Sequence, residues 1–462
     1  MNSQAGRLNG VTEEHVPRVL IVGGGYVGMY TALRLRKRLQ LGEARVTVVD
    51  PRSYMTYQPF LPEAAAGSLE PRHVVVPLRR VLRYVDVVTG RVTSIRHGEK
   101  VACITPNVGE PYELMYDYIV IALGSVARTL PIPGLAEQGI GFKQVEEAIS
   151  LRNHVLDRLD VAESTDDPDV RRRALTFVFV GGGYAGVEAL AELEDMARYA
   201  TRYYDDIRPK DLRFMLVEAS GRILPEVGPE MGRYTVEQLR DRNIDVRLGT
   251  RLESCVDGHM VLSDGEEFDS DTLVWTAGVK ANPVLANTDL PLDDRGRLNC
   301  LPDLRVATLD GKVVEGAFGA GDSAAVPDLT SEVEGATTSP SAQHAVRQAK
   351  LLADNIVTVL RGHEPEPYKH KHVGSVASLG LYKGVAQVYG IKLKGFPAWF
   401  MHRTYHMSRM PTLNRKVRVV VDWTLALLFK REVVSLGRLQ SPREEFLRAA
   451  EPAPPQAQRP VP

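Results

Sequence analysis

"VGGGYVGMY" occupies residues 22–30 and "VGGGYAGVE" residues 180–188, so one glycine signature is written twice. The offset is 158 positions (Gly181 minus Gly23), and it sets Glu188 opposite Tyr30. Ahead of the first copy runs "RVLIV", a β-branched stretch; behind it "MYTALRLRKRLQ" carries apolar residues at helical spacing. "RVTVVD" then ends in Asp50, 22 residues beyond Gly28. In a strand, turn, helix, strand unit of this kind Gly23 makes the tight turn, Gly25 admits a pyrophosphate to the backbone, and Gly28 lets helix and strand pack closely. The phosphate rests on the helix N-terminus, and Asp50 is placed to accept hydrogen bonds from a ribose 2′-hydroxyl.

The second copy repeats this grammar with "LTFVFV", then Gly181, Gly183 and Gly186, then "RFMLVEA" ending in Glu218. The acids are 168 apart (218 minus 50), so the second unit holds ten more residues, expected as a longer, solvated helix and loop within "EDMARYATRYYDDIRPKDL". "YDYIVIALGS" (116–125) and "FDSDTLVWTAGV" (268–279) also repeat, each running from acidic residues into a strand closed by glycine. The reading is an α/β protein with two Rossmann-like dinucleotide-binding domains.

A chain of 462 residues exceeds one core of roughly 100 to 200 residues. With 44% apolar residues, 25% charged residues and a net charge of -1, it has no global bias towards nucleic acid. Three scattered cysteines, Cys103, Cys255 and Cys300, offer neither a disulfide framework nor metal-ligand spacing, so no metal is expected and a reduced cytoplasmic setting fits. No run of 18 apolar residues occurs. In "GAFGAGDSAAV", Gly321 and Asp322 close a third glycine cluster; Asp322 reads either as a helix cap or as a ligand contact. Further on, Ser339 is the expected N-cap of a helix with apolar residues at 345, 349, 352, 356 and 359, stopped by Gly362.

Together these residues resemble the two-dinucleotide-domain flavoproteins of glutathione-reductase-like layout, over roughly residues 18–385. Within them the chain is most similar to the type II NADH:quinone oxidoreductases, through "TYQPFLPEAAAG" (56–67), "WTAGV" (275–279), "AQHAVRQ" (342–348) and the carboxyl-terminal segment. The resemblance implies FAD on Gly23, Gly25, Gly28 and Asp50, with Gly321, Asp322 and Ala342 returning to it. NADH is implied on Gly181, Gly183, Gly186 and Glu218. "AQHAVRQ" matches the family's quinone pattern and implies Gln343 and Gln348 at a quinone site; Glu188 is implied between nicotinamide and flavin, although a carboxylate there is also favoured by the helix dipole alone. Ala219 and Ser220 after Glu218 favour NADH over NADPH.

Residues 386–448 carry twelve Lys and Arg against four acids, interleaved with Phe396, Trp399, Phe400, Tyr405, Trp423 and Phe429. That mixture suits an anionic bilayer surface. The protein body or a homodimer partner is the competing cover, and Arg418 and Asp422 argue against spanning.

The expected organisation is a flexible N-terminus (1–17), the first segment of an FAD-binding domain (18–145), an inserted NADH-binding domain (146–284), the returning segment of the FAD-binding domain with the quinone-site helix (285–385), a membrane-anchoring region (386–448) and a disordered tail (449–462). The implied activity is hydride transfer from NADH to FAD and electron transfer to membrane quinone, menaquinone or ubiquinone, without proton pumping, on the cytoplasmic side of the cell membrane as a peripheral protein. A reductase with a soluble acceptor and a slow-turnover NADH-sensing flavoprotein stay open as alternatives.

Overall fold

The computed structural model describes residues 15–370, 374–435 and 447. Most of the expected flexible N-terminus, the end of the anchoring region and the tail at 449–462 lie outside the described residues.

Five parallel strands form the centre of the first sheet, in the order Val313–Gly319, Tyr118–Ile121, Arg18–Val22, Arg45–Asp50, Asp86–Arg96. Strand 18–22 is central because "VLIV" is buried on both faces beneath helix Tyr26–Arg38 and its neighbours. A hairpin, Val101–Pro106 with Tyr112–Met115, extends one edge antiparallel. The second sheet is parallel throughout: Gly139–Gly141, Thr272–Trp275, Thr176–Val180, Arg213–Glu218, Ile244–Leu248. In both sheets the glycine strand sits between its acid-ended strand and the repeated glycine-closed strand, 118–121 or 272–275.

The ten-residue surplus is only partly as expected. Helix Tyr184–Ala200 is longer than Tyr26–Arg38, and the loop after it is largely exposed. The helix, however, is not solvated. It packs against helices Leu61–Ala65 and Val145–Glu163, which bury Glu192, Leu193, Glu194, Met196 and Ala197. The acids in this stretch made it look like a surface; ion pairing from Arg198 and Arg242 to Glu194 lets it go inside.

Three antiparallel strands, Gly374–Ser378, Gly384–Val388 and Ile391–Lys394, lead into helices Phe396–Arg409 and Leu413–Phe429. A boundary at 385 cuts through the middle strand, so the structural unit begins at Gly374. The protein body covers helix 413–429 on one side only. Asp422 accepts from Glu70 N–H and lies 2.6 Å from His73 Nδ1, fastening that side, while Leu413, Val417, Val421, Leu425 and Leu428 are exposed. Among the described residues no helix is long and apolar enough to cross a membrane.

Candidate active site

The two glycine loops have the same geometry. Gly23 and Gly181 adopt φ of +106° and +114°, the left-handed side that a β-carbon disfavours. A Cβ on Gly28 would stand 1.8 Å from Gly23 O, and one on Gly186 2.0 Å from Gly181 O. At Gly25 and Gly183 a Cβ would meet nothing within 4 Å. Those two therefore border open space at the N-termini of helices 26–38 and 184–200, as a pyrophosphate cradle requires. The acids do more than wait for a ribose. Asp50 accepts Gly24 N–H at 2.7 Å and Arg52 N–H at 2.7 Å; Glu218 accepts Gly182 N–H at 2.6 Å and Ser220 N–H at 2.7 Å. Each thus fixes its own loop while keeping further lone pairs for a sugar. Burial pushes the Asp50 carboxyl above its ordinary pKa, against those two hydrogen bonds.

The third glycine cluster returns to the first loop. Gly321 packs against Val27, and a Cβ there would lie 2.7 Å from Val27 Cγ2. Asp322 sits in a short 3₁₀ turn and makes no cap; its Oδ2 accepts Ser125 Oγ–H at 2.6 Å, and Lys143 Nζ donates to the same hydroxyl.

Helix Ala342–Leu360 lies on helix 26–38, joined by Thr31 Oγ1 to Ala349 O and by Arg34 to Asp354. Its cap is Ser341, whose Oγ accepts His344 N–H at 3.1 Å, not Ser339. Several Ser and Thr precede the helix, and only the backbone path selects among them. Gly362, at φ +75°, ends it as expected. Ala342 opens the helix, half-buried. Gln343 keeps a buried Oε1 with no partner among the described residues, whereas Gln348 is fully buried with its amide spent on Gly321 N–H (2.7 Å) and Thr338 Oγ1 (3.1 Å).

Glu188 is buried, with Oε1 accepting Ser378 N–H at 2.8 Å. Burial pushes its carboxyl up to about 8. Two further carboxylates stand nearby. Glu63 Oε2 accepts Trp423 Nε1–H at 2.6 Å and pairs with Arg403 at 2.9 Å; Glu192 takes Ser378 Oγ–H at 3.3 Å and faces Arg431 at 3.7 Å. Burial raises both carboxyls. Glu63 Oε1, Glu192 Oε2, Arg403 Nε, Arg431 Nη2 and both nitrogens of His402 are buried with no hydrogen-bond partner among the described residues. Each such atom costs about 1–3 kcal/mol, and a concentration of them marks a place that handles protons or a polar ligand.

A family described as pyridine nucleotide-disulphide oxidoreductase matches residues 17–349. The type II NADH:quinone oxidoreductase of Staphylococcus aureus is 31% identical over 398 residues, covering 84% of this chain and 93% of that protein. This chain belongs to the type II NADH:quinone oxidoreductase family. The member Ndh of Mycobacterium tuberculosis is 27% identical, over 90% of this chain and 89% of its own. The structure of NDH2 from Plasmodium falciparum in complex with NADH shares the fold, with a TM-score of 0.83 at 18% identity, covering 91% of this chain and all 100% of that one.

Type II membership agrees with the cysteines. Cys103, Cys255 and Cys300 are free, and burial raises the Cys255 and Cys300 thiols, which disfavours the reactive thiolate. What the sequence reading of this type II chain missed was the buried cluster: Glu63, Glu192, His402, Arg403 and Arg431. Only the spacing Glu188–Glu192, four residues on a helix, put two of its members on one face.

Proposed function

We propose that this chain oxidises NADH with a membrane quinone, using FAD held by the first glycine loop. Bound FAD supplies the two-electron chemistry, accepting hydride and returning electrons. Gly23, Gly25, Gly28 and Asp50 hold its adenine end, while Gly321 and Asp322 close on it from the returning strand. Gly181, Gly183 and Gly186 fix the pyrophosphate of NADH, and Glu218 reads its 2′-hydroxyl, so the nicotinamide is positioned by the far end of its molecule. The N-terminus of helix 342–360 directs partial positive charge towards the flavin, and Gln343 offers its amide to a quinone carbonyl.

The observation that carries this reading is the meeting of helix 342–360 with the first glycine helix, where Gln348 of the same quinone-pattern stretch as Gln343 accepts Gly321 N–H. The test is the absorbance of purified holoenzyme without oxygen, given NADH and then a ubiquinone or menaquinone analogue. Bleaching by NADH and recovery with quinone are expected; recovery only with oxygen or a soluble oxidant would sink the reading.

Helix 413–429 docks on the lipid surface at the cytoplasmic, NADH-bearing side. Its exposed Leu413, Val417, Val421, Leu425 and Leu428 share a face, with Arg415, Lys416 and Lys430 near its ends and exposed Phe396 and Phe400 on the preceding helix. A second copy of the chain is the competing cover. Mass measurement in detergent, against flotation with anionic vesicles, separates the two.

A further inference from the structure

Lys143 lies two residues beyond strand Gly139–Gly141, the edge of the second sheet, and just ahead of helix Val145–Glu163. Its main chain is held on both sides. The N–H donates at 2.6 Å to Glu147 Oε2, the carboxylate that caps that helix, and the carbonyl accepts Gln58 Nε2–H at 3.1 Å from the loop before helix 61–65. The half-buried side chain donates to the hydroxyl of Ser125. Ser125 opens strand Ser125–Ala127, which pairs antiparallel with Val279–Ala281 where the chain crosses to the second sheet and returns. That hydroxyl in turn donates to Asp322 Oδ2 at 2.6 Å, 197 positions away in sequence.

The directions in this chain are forced. An ammonium only donates, so Ser125 Oγ accepts from Lys143 and has its own proton to give to the carboxylate. Each link is charge-assisted, and each polarises the next. A lysine on a surface takes its ammonium to water. Burial here pushes the Lys143 ammonium below its ordinary pKa, with Asp322 and Glu147 pulling the other way. A cation kept in so costly a place, and aimed at a hydroxyl rather than straight at an acid, fits a part that orients.

We propose that Lys143 is a positioning residue for FAD, holding Asp322 by way of Ser125. The proposal rests on the assignment of Asp322 to FAD above. Ser125 engages the carboxylate through Oδ2, which leaves lone pairs for the cofactor and fixes where they point; a direct ion pair with Lys143 would spend them on the cation. The turn Gly321–Asp322 is thereby held from two directions. Lys143 and Ser125 reach it from the edge of the second sheet and the crossing strand, and Gln348 reaches it from helix 342–360 through Gly321 N–H.

The experiment dilutes the FAD-loaded full chain into flavin-free buffer and follows the fluorescence of released FAD. Lys143→Met should release it roughly ten- to a hundredfold faster than wild type, the size of one lost hydrogen bond to a charged group. Lys143→Arg keeps a cation and N–H donors, and should stay within about threefold of wild type. Ser125→Ala combined with Lys143→Met should be no faster than Ser125→Ala alone. Multiplying losses would mean that Lys143 acts without Ser125, and a Lys143→Arg chain as leaky as Lys143→Met that the cation is not what counts; either overturns the proposal. Should Lys143→Met not fold, Ser125→Ala takes its place with the same acceleration expected, and a wild-type rate in it overturns the proposal unaided. Asp322→Ala separates the two readings. Wild-type release from Asp322→Ala overturns the assignment of Asp322 to FAD and the positioning with it; rapid release from Asp322→Ala beside wild-type release from Lys143→Met overturns the positioning alone.

Discussion

Gln348 Oε1 accepts the backbone N–H of Gly321 at 2.7 Å, tying the quinone-pattern helix to the glycine turn that faces the flavin loop. With Thr338 Oγ1 accepting from its Nε2 and the side chain wholly buried, both ends of the amide are committed to the protein. We therefore assign Gln348 to positioning Gly321 and Asp322. Gln348→Ala leaves a buried N–H and a buried hydroxyl unpaired, at about 1–3 kcal/mol each. Thermal unfolding should come several degrees lower and flavin should be lost more readily on dilution. Full stability and flavin content with a slow quinone step would return Gln348 to the substrate.

Gln343 makes the opposite prediction. Its half-buried amide has an unpartnered Oε1, so Gln343→Ala should change stability by less than about 0.5 kcal/mol. Quinone-dependent reoxidation should weaken while anaerobic reduction by NADH stays normal. Equal loss in both half-reactions, measured by stopped-flow, removes Gln343 from the quinone site.

Glu218 holds Gly182 and Ser220, in addition to the ribose contact proposed for it. Glu218→Ala should raise the KM for NADH and also cut the NADH over NADPH ratio of kcat/KM, by roughly tenfold for a lost charge-assisted hydrogen bond. An unchanged ratio would confine Glu218 to shaping the loop.

The Glu188 carboxyl is raised by burial from its ordinary 4.5 to about 8. The folded chain therefore keeps a proton that the unfolded chain releases, and this contribution, complete below about pH 4.5, is lost as pH rises through 8. It amounts to a few kcal/mol at most, on the order of 1.4 kcal/mol per unit. Glu188→Gln keeps an acceptor for Ser378 N–H and cannot ionise, so its Tm should gain on wild type between pH 5 and 9. Parallel Tm curves would mean that Glu188 titrates alike in both states.

Leu425→Glu with Leu428→Glu alters only the exposed face of helix 413–429, so unfolding should be unchanged and flotation with anionic vesicles lost. Truncation would be a poorer test. It strips Trp423 from Glu63 and leaves a buried carboxylate without its donor.

Both nucleotide units were legible because their signals are local. Glycine spacing, β-branched runs and a terminal acid act within some thirty residues, and the loops of Gly23 and Gly181 close as that spacing requires. The quinone helix was equally plain, except for its cap. Tertiary structure alone decided what the acids after Glu188 do. Glu192 and Glu194 carry a surface signature, and they are buried because helices 61–65 and 145–163 and strand 374–378 pack on the helix that carries them. The cluster joins Glu63 to Arg431 across 368 positions (431 minus 63), and no periodicity reports a partner so far away. Sequence chose the nucleotide holders, since backbone turns and phosphate contacts are set by neighbours in the chain. Packing chose the protonation states, since burial is a property of the assembled interior.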